Sequence, residues 1–263
     1  MAVYVFTPPK RRRRTARNFQ RMFPDLSARH SRRLARQSFR NNMRTSFDFV
    51  WSYAVPQHAM HRHMRAYGVE HAYEAVDQTG GGIFVLAHFG SWDVAASCAL
   101  ASGLQLTTVM GPVGPDLVTR IAVWARRHQE MDVLMSSNAA RGLVRAVRRG
   151  RFDAILCDLP ERGDTVDVDF LGGRVKFSTA PAWVARVTGV PLLPVDCWRY
   201  KGLYRLNIHA PVPVDRHESD AVIMQRVADV LARMIRRQPS WWYPFSEIYV
   251  DGSAPGAEPQ PRA

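Results

Sequence analysis

From Gly80 onward, short apolar runs alternate with segments whose apolar residues recur every three or four positions. The first run, 82–87, is continuously apolar, which is typical of a strand buried on both faces. Further strands are predicted at 106–110, 133–135, 154–157, 192–198 and 204–208. Helical periodicity separates these strands, and a hairpin is predicted around Gly172 and Gly173. The alternation predicts an α/β domain with a largely parallel central sheet flanked by helices.

The chain before this region has a helical pattern that begins after Ser27, a predicted N-cap. One apolar stripe is formed by Ala35, Phe39, Met43, Phe47 and Val50, beside a basic stripe of Arg32, Arg36, Arg40 and Arg44. Such a helix can lie among lipid headgroups, or it can pack on the body with its arginines in water. We interpret residues 1–20 as a flexible basic arm, 21–251 as one domain that begins with this amphipathic helix, and 252–263 as a disordered tail.

The positive charge of the chain is concentrated at one end. Residues 1–45 hold 13 of the 36 basic side chains and one of the 23 acidic ones, so they account for +12 of the net +13. The remaining chain is nearly neutral, which indicates an arm or docking face for an anionic surface. A nucleic-acid binder is the alternative from a different class, but the basic segment carries no zinc pattern or ribonucleoprotein aromatic motif.

The remaining composition narrows the class of protein. With 46% hydrophobic residues the chain can bury a core, and it has neither a run of roughly 18 apolar residues nor a signal-peptide pattern. We therefore expect a protein in the cytosol or at the cytosolic face of a membrane, and the basic end of the chain favours the second location. The three cysteines, Cys98, Cys157 and Cys197, lack metal-ligand spacing and are expected to be reduced, structural thiols, with no metal site.

The candidate chemistry lies where the first strand ends. His88 follows that strand directly, and Asp93 comes five residues later, at the start of a predicted helix. A histidine in this position can act as a general base, with a carboxylate on its other ring nitrogen. Ser91 lacks the glycine-flanked elbow of a serine hydrolase. Taken alone the pair is weak evidence, because the helix dipole also favours Asp93 and a turn histidine can simply bond backbone.

Several segments resemble the bacterial lipid A acyltransferases and, among them, the anchorless phosphatidylinositol mannoside acyltransferases. The resemblance covers roughly residues 20–250. It rests on His88-Phe89-Gly90-Ser91-Trp92-Asp93, on the basic segment 141–150 before Asp158, on 169–173 with 179–182, and on 192–195. Three departures are Asp93 where lipid A enzymes generally carry Glu, Leu159 where they carry Gln, and Pro239-Ser240 where they carry Pro-Glu.

The resemblance implies a glycerolipid-acyltransferase-like fold and transfer of a fatty acyl chain from acyl-CoA, or an acyl carrier protein, to a hydroxyl of a membrane glycolipid or phospholipid. It makes His88 the general base and Asp93 the residue that orients it, without a covalent intermediate or a cofactor. Candidate substrate-binding residues are Arg126, Arg127, Asp158, Glu161 and Arg162, with Arg174 a weaker one. Arg126 or Arg127 is a candidate for binding the donor phosphates or the oxyanion, and either residue can equally belong to a solvated helix face.

Two further alternatives stay open. The same dyad could activate water, which would make the chain an acyl-ester or thioester hydrolase, and Asp158 could cap a turn instead of lining a site. Trp241 and Trp242 are predicted to pack in the core. Acyl-chain length, acceptor identity and oligomeric state are not encoded in any motif of the sequence.

Overall fold

A computed structural model describes residues 7–112, 115–135, 139–160 and 163–250. Seven strands form one sheet in the order β1-β9-β8-β2-β5-β3-β4, and β6 with β7 forms a separate hairpin. The strands are β1 Met64–Tyr67, β2 Gly82–Leu86, β3 Leu106–Met110, β4 Asp132–Met135, β5 Phe152–Leu156, β6 Thr165–Phe170, β7 Gly173–Ser178, β8 Leu192–Tyr200 and β9 Leu203–Ile208. The α/β class and the hairpin predicted from the sequence are confirmed.

Five neighbouring strands, from β8 through β2, β5 and β3 to β4, run parallel. Strand β9 returns antiparallel to β8, and β1 pairs parallel to β9, so these two strands run in the opposite direction. In parallel sheets, ligands bind beyond the carboxyl ends of the strands. The carboxyl ends of β2 and β5 therefore mark the edge where a site is expected.

Eight α-helices are present in the described ranges. They are α1 Pro9–Met22, α2 Ala28–Ala54, α3 Val69–Thr79, α4 Trp92–Ala101, α5 Asp116–His128, α6 Ala139–Val147, α7 Ala180–Thr188 and α8 Asp220–Arg237. None of the helices in this part of the chain is long and apolar enough to cross a bilayer.

Strand β2 is buried on both faces, as its continuous apolar run predicts. Ile83 and Val85 join one core with residues of α1, α6, α7 and α8, and Phe84 and Leu86 join another with residues of α3 and α4. The period of two along a strand sends alternate side chains to opposite faces. The helices therefore cover both faces of the sheet.

The basic run at residues 10–14 lies in α1, which corrects the prediction of a flexible arm over most of its length. The helix is amphipathic, and Phe19 on its apolar side is fully buried in the main core. Asn18 fixes the same side by donating to the backbone oxygens of Pro244 and Ser246 at 2.9 and 3.1 Å. Residues 1–6 and the predicted tail at 252–263 lie outside the described residues.

Helix α2 begins after Ser27, whose hydroxyl accepts a hydrogen bond from the backbone N–H of His30, as predicted for an N-cap. Its predicted apolar stripe is only half buried. Ala35 and Phe39 are in the core, but Phe47 and Val50 are 68% and 64% exposed. The buried face of the second half of α2 is polar instead. Its Thr45 and Asp48 side chains hydrogen-bond Gly90 and Ser91 in the turn after β2.

Candidate active site

The segment after β2 makes a tight turn that only glycine permits. Gly90 has φ of +68°, and a Cβ at this position would lie 1.9 Å from the carbonyl oxygen of Cys197. The backbone N–H of Ser91 donates to that same oxygen at 2.7 Å. The turn is thus held against β8. It fixes the direction in which the chain leaves the sheet at His88, two residues before Gly90.

His88 pairs with Asp158 because β2 and β5 are neighbours. Leu86 lies opposite Leu156 in the parallel register, and the histidine and the aspartate each follow two residues later. His88 Nδ1 and Asp158 Oδ1 are 2.8 Å apart, and the backbone N–H of His88 donates to the same oxygen at 2.9 Å. The strand order thus joins two residues that are 70 positions apart in sequence.

The Asp158 carboxylate is held by three hydrogen-bond donors. Besides the two from His88, the indole N–H of Trp242 donates to Oδ2 at 3.2 Å, and Asp158 is only 1% exposed. A carboxylate that accepts a hydrogen bond from Nδ1–H fixes the tautomer in which Nε2 is the basic ring nitrogen. The pair has the orienting geometry of the acid and base in a hydrolytic triad.

Asp93 occupies a different position from the one predicted for it. Its carboxylate accepts a hydrogen bond from Arg126 Nη2 at 2.6 Å, so the predicted pairing of His88 with Asp93 is corrected to His88 with Asp158. Asp93 lies in the first turn of α4, where it meets α5 in the interior. Burial raises the pKa of the Asp93 carboxyl, and the guanidinium of Arg126 opposes that rise.

The predicted substrate-binding arginines in the described ranges do not contact His88. Arg126 forms an ion pair with Asp93, and Arg127 lies on the exposed side of α5. Arg174 projects from the hairpin, 3.9 Å from Asp167. Glu161 and Arg162 lie outside the described residues. Among the predicted substrate-binding residues that the structure describes, only Asp158 contacts His88, and it does so as the hydrogen-bond partner of the imidazole.

Three aromatic residues complete the surroundings of His88. Trp92 packs edge-on against the imidazole, with ring centroids 5.8 Å apart, and against Tyr243 at 6.0 Å. The backbone N–H of Tyr243 donates to the carbonyl oxygen of His88 at 3.0 Å. Trp242 is buried, as predicted, but it also supports Asp158. No sequence motif identifies this role, because residues 241–243 reach the site only through the tertiary fold.

A polar stripe on α2 positions this C-terminal segment and the glycine turn. Thr45 donates to the carbonyl oxygen of Gly90 at 3.2 Å or bonds the hydroxyl of Tyr243 at 2.8 Å. Ser91 donates to Asp48 Oδ2 at 2.8 Å. Ser38 continues the stripe by donating to the carbonyl oxygen of Trp242. Buried polar groups need such partners, which explains why this half of α2 departs from an apolar pattern.

An open cavity of about 580 Å³ adjoins His88. The rings of Trp92, Tyr243 and Phe245 line it. The start of α1, including Lys10, also lines it. The imidazole is therefore accessible from a cavity large enough for part of an extended substrate.

A buried carboxylate orients the histidine at the carboxyl edge of a parallel sheet, beside an open cavity, and a histidine placed in this way can act as a general base. The family model for bacterial lipid A biosynthesis acyltransferases matches residues 1–247. The chain belongs to this family.

Curated relatives include a phosphatidylinositol mannoside acyltransferase from Mycolicibacterium smegmatis. It is 27% identical over 186 residues, which are 69% of this chain and 61% of the relative. A phosphatidylinositol mannoside acyltransferase from Mycobacterium tuberculosis is 27% identical over 180 residues, 67% of this chain and 57% of the relative. The matched region thus spans about three fifths of the length of these relatives.

Proposed function

We propose that this chain transfers a fatty acyl group from a thioester donor to a hydroxyl of a membrane glycolipid or phospholipid, with His88 as the general base. The observation that carries the proposal is the hydrogen bond between His88 and the buried Asp158, beside the cavity. Family membership and the relatives named as acyltransferases support the same chemistry.

The reaction follows from the orientation of the imidazole. Nε2 of His88 takes the proton of the acceptor hydroxyl while the hydroxyl oxygen attacks the thioester carbonyl carbon. The tetrahedral intermediate collapses, the carbon–sulfur bond breaks, and the thiolate leaves with the proton from the imidazolium. Asp158 holds the tautomer and stabilises the transient positive charge on His88. The thioester is already activated, so the reaction as proposed needs no cofactor and no covalent enzyme intermediate.

We propose acyl-CoA as the donor and an acyl carrier protein as the alternative. The proposed location is the cytoplasmic face of the cell membrane, where a cytosolic thioester meets a lipid acceptor. Helix α5 favours a peripheral contact with lipid, because it exposes Leu117, Ile121 and Trp124 on one face. Apolar side chains at this spacing, bordered by arginines, suit the lipid headgroup region.

The test is release of free coenzyme A from palmitoyl-CoA, with and without a polar-lipid extract, for wild type and His88→Gln. We expect release that depends on the extract and a decrease of about 10²- to 10⁴-fold in the variant, the range for a lost general base. Thermal melting of both proteins controls for folding. Release without lipid would identify a hydrolase instead, and full activity in His88→Gln would refute the base.

A further inference from the structure

Helix α1 supplies three cations to the cavity beside His88. Lys10, Arg11 and Arg14 line the cavity together, at positions i, i+1 and i+4 of the helix. Among the described residues no carboxylate lines the cavity. Three of the five cations in the basic run 10–14 therefore line the cavity beside the candidate base, whose hydrogen-bond partner is Asp158.

The cations are held in place by the same segment that positions the catalytic pair. The guanidinium carbon of Arg11 lies 5.1 Å from the ring centroid of Phe245 and 6.0 Å from that of Phe39. These contacts orient Arg11 without neutralising its charge. Arg14 Nε lies 3.2 Å from Glu247 Oε2, an ion pair at the surface. Because Phe19 anchors α1 in the core, the helix backbone that carries the three side chains is fixed beside the cavity.

A concave surface with several cations and fixed aromatic walls is suited to an anion that carries phosphate. Guanidinium groups donate two parallel hydrogen bonds to phosphate, and an ammonium adds a point charge. An uncharged acyl chain gains nothing from such a surface. The charges therefore indicate the polar part of a substrate whose reactive carbon or oxygen reaches His88.

We propose that Lys10, Arg11 and Arg14 form a phosphate subsite of the His88 cavity. This inference rests on the proposed function, in which the acyl-CoA donor carries phosphates on its nucleotide and a phospholipid acceptor carries one in its headgroup. Either source offers the same chemistry to the subsite. If the phosphate is that of the donor, the subsite has the role that the sequence suggested for Arg126 or Arg127.

The test compares two double variants that each remove two charges from α1. Lys10→Gln/Arg11→Gln changes residues that line the cavity, and Arg13→Gln/Arg17→Gln changes exposed residues that do not. Arg14 is kept because it pairs with Glu247. We expect the first variant to raise KM for one substrate by about 10-fold or more, the scale of lost charge-assisted hydrogen bonds, with kcat little changed. The control should alter KM by less than about 2-fold.

Two arms identify the phosphate. If the donor binds there, KM for palmitoyl-CoA rises in the Lys10→Gln/Arg11→Gln variant, whereas kcat/KM for palmitoyl-N-acetylcysteamine, which lacks phosphate, stays as in wild type. If the acceptor binds there, KM for the phospholipid acceptor rises at saturating palmitoyl-CoA. Equal KM shifts in both double variants, or no shift in either, would overturn the subsite.

A binding measurement separates this inference from the proposed function. Calorimetric titration with coenzyme A, and separately with glycerophosphoinositol, requires no turnover. Binding of one of these ligands that weakens about 10-fold in Lys10→Gln/Arg11→Gln but not in Arg13→Gln/Arg17→Gln supports the subsite even if no acyl transfer is found. Binding of both ligands unaltered by the first variant would overturn the subsite and leave His88 catalysis unaffected.

Discussion

At the scale of single residues, two aspartates have different partners: Asp158 bonds His88, and Asp93 pairs with Arg126. Asp158→Asn keeps the shape of the side chain but replaces the acceptor at Nδ1 with an amide that can favour the wrong histidine tautomer. We expect kcat to fall by about 10²- to 10⁴-fold, as when the orienting acid of a triad becomes an amide. Trp242→Phe removes the donor to Oδ2 together with part of a buried ring, and we expect kcat to fall by roughly 10-fold or less. Steady-state kinetics on all three proteins checks both values.

Asp93→Asn should mainly affect stability. The change leaves the guanidinium of Arg126 in the interior without its carboxylate partner, and breaking a buried ion pair costs about 3–5 kcal/mol. We expect a clearly lower free energy of unfolding, measured by denaturant titration. The neighbouring change Arg127→Gln, on the exposed side of α5, should stay within about 0.5 kcal/mol of wild type. Unchanged stability in Asp93→Asn, combined with a loss of kcat as large as in Asp158→Asn, would restore Asp93 as the orienting acid.

Asp153 predicts a pH dependence of stability that is independent of the active site. This residue on β5 is fully buried, and neither carboxylate oxygen has a hydrogen-bond partner among the described residues. Burial raises the pKa of Asp153 to about 8, with Arg151 opposing the rise. The unfolded chain ionises at about pH 4, so between pH 4 and 8 the folded state holds the extra proton. Stability from this group is complete below pH 4 and is lost as the pH rises through 8.

Asp153→Asn removes this titration. We expect the melting temperature of the variant, relative to wild type, to increase as the pH is raised from 5 to 9, because only wild type must ionise a buried group. The control Asp77→Asn, at an exposed position of α3, should show a constant difference. A difference for Asp153→Asn that does not change with pH would refute the raised pKa.

At the scale of elements, the turn after β2 depends on a close contact with β8. Gly90 and Gly103 both have positive φ, but a Cβ at Gly90 would lie 1.9 Å from the carbonyl oxygen of Cys197, whereas nothing lies within 4 Å at Gly103. Gly103→Ala should cost about 1–2 kcal/mol, for backbone strain alone. Gly90→Ala should cost more and should also lower kcat, because the turn carries His88. Equal effects of the two changes on stability and kcat would show that the contact with Cys197 is unimportant.

An element can be predicted from the sequence when its own residues determine it, and not when residues far away in the sequence do. Strand β2 follows from a run of apolar residues, and its predicted bounds, 82–87, agree with the structure within one residue. Strand β1 was missed, because three of its four side chains are exposed at the sheet edge and no alternation marks it. The polar stripe of α2 was missed because its partners, such as the carbonyl oxygen of Gly90, lie far away in sequence.

The candidate site shows the same limit. His88 could be identified from its position after a buried strand, and Asp158 was noted after another. Their pairing requires knowledge that β2 and β5 are neighbours, which no periodicity encodes. Asp93 was the nearer acid in sequence, but its place at the start of α4 directs it to Arg126 on α5. Proximity in sequence was therefore a poor guide to the partner of the histidine.

At the scale of the whole molecule, α5 connects the site to the surface. Its inner side supplies Arg126 to Asp93, and Asp93 follows Trp92, whose ring contacts His88. Its outer side exposes Leu117 at 66% and Trp124 at 65%. The helix follows β3, so it begins at the carboxyl edge of the sheet, on the same edge as His88. A bilayer in contact with this face would bring acceptor lipid to the edge of the sheet that carries the candidate base.

The proposed contact predicts a change in vesicle binding. In Leu117→Gln/Trp124→Gln, two side chains lose the gain from entering lipid, which is about 1.5–3 kcal/mol for each when fully buried. Because insertion is partial, we expect sedimentation with vesicles of phosphatidylcholine and phosphatidylglycerol to weaken by roughly 10-fold or more. The control Val187→Gln/Val222→Gln removes exposed apolar side chains from α7 and α8. If this control weakens binding equally, or if the α5 variant binds like wild type, the lipid contact lies on another face.

Arg120 and Arg127 border the α5 face, so binding by wild type should also decrease as salt screens their attraction to anionic lipid.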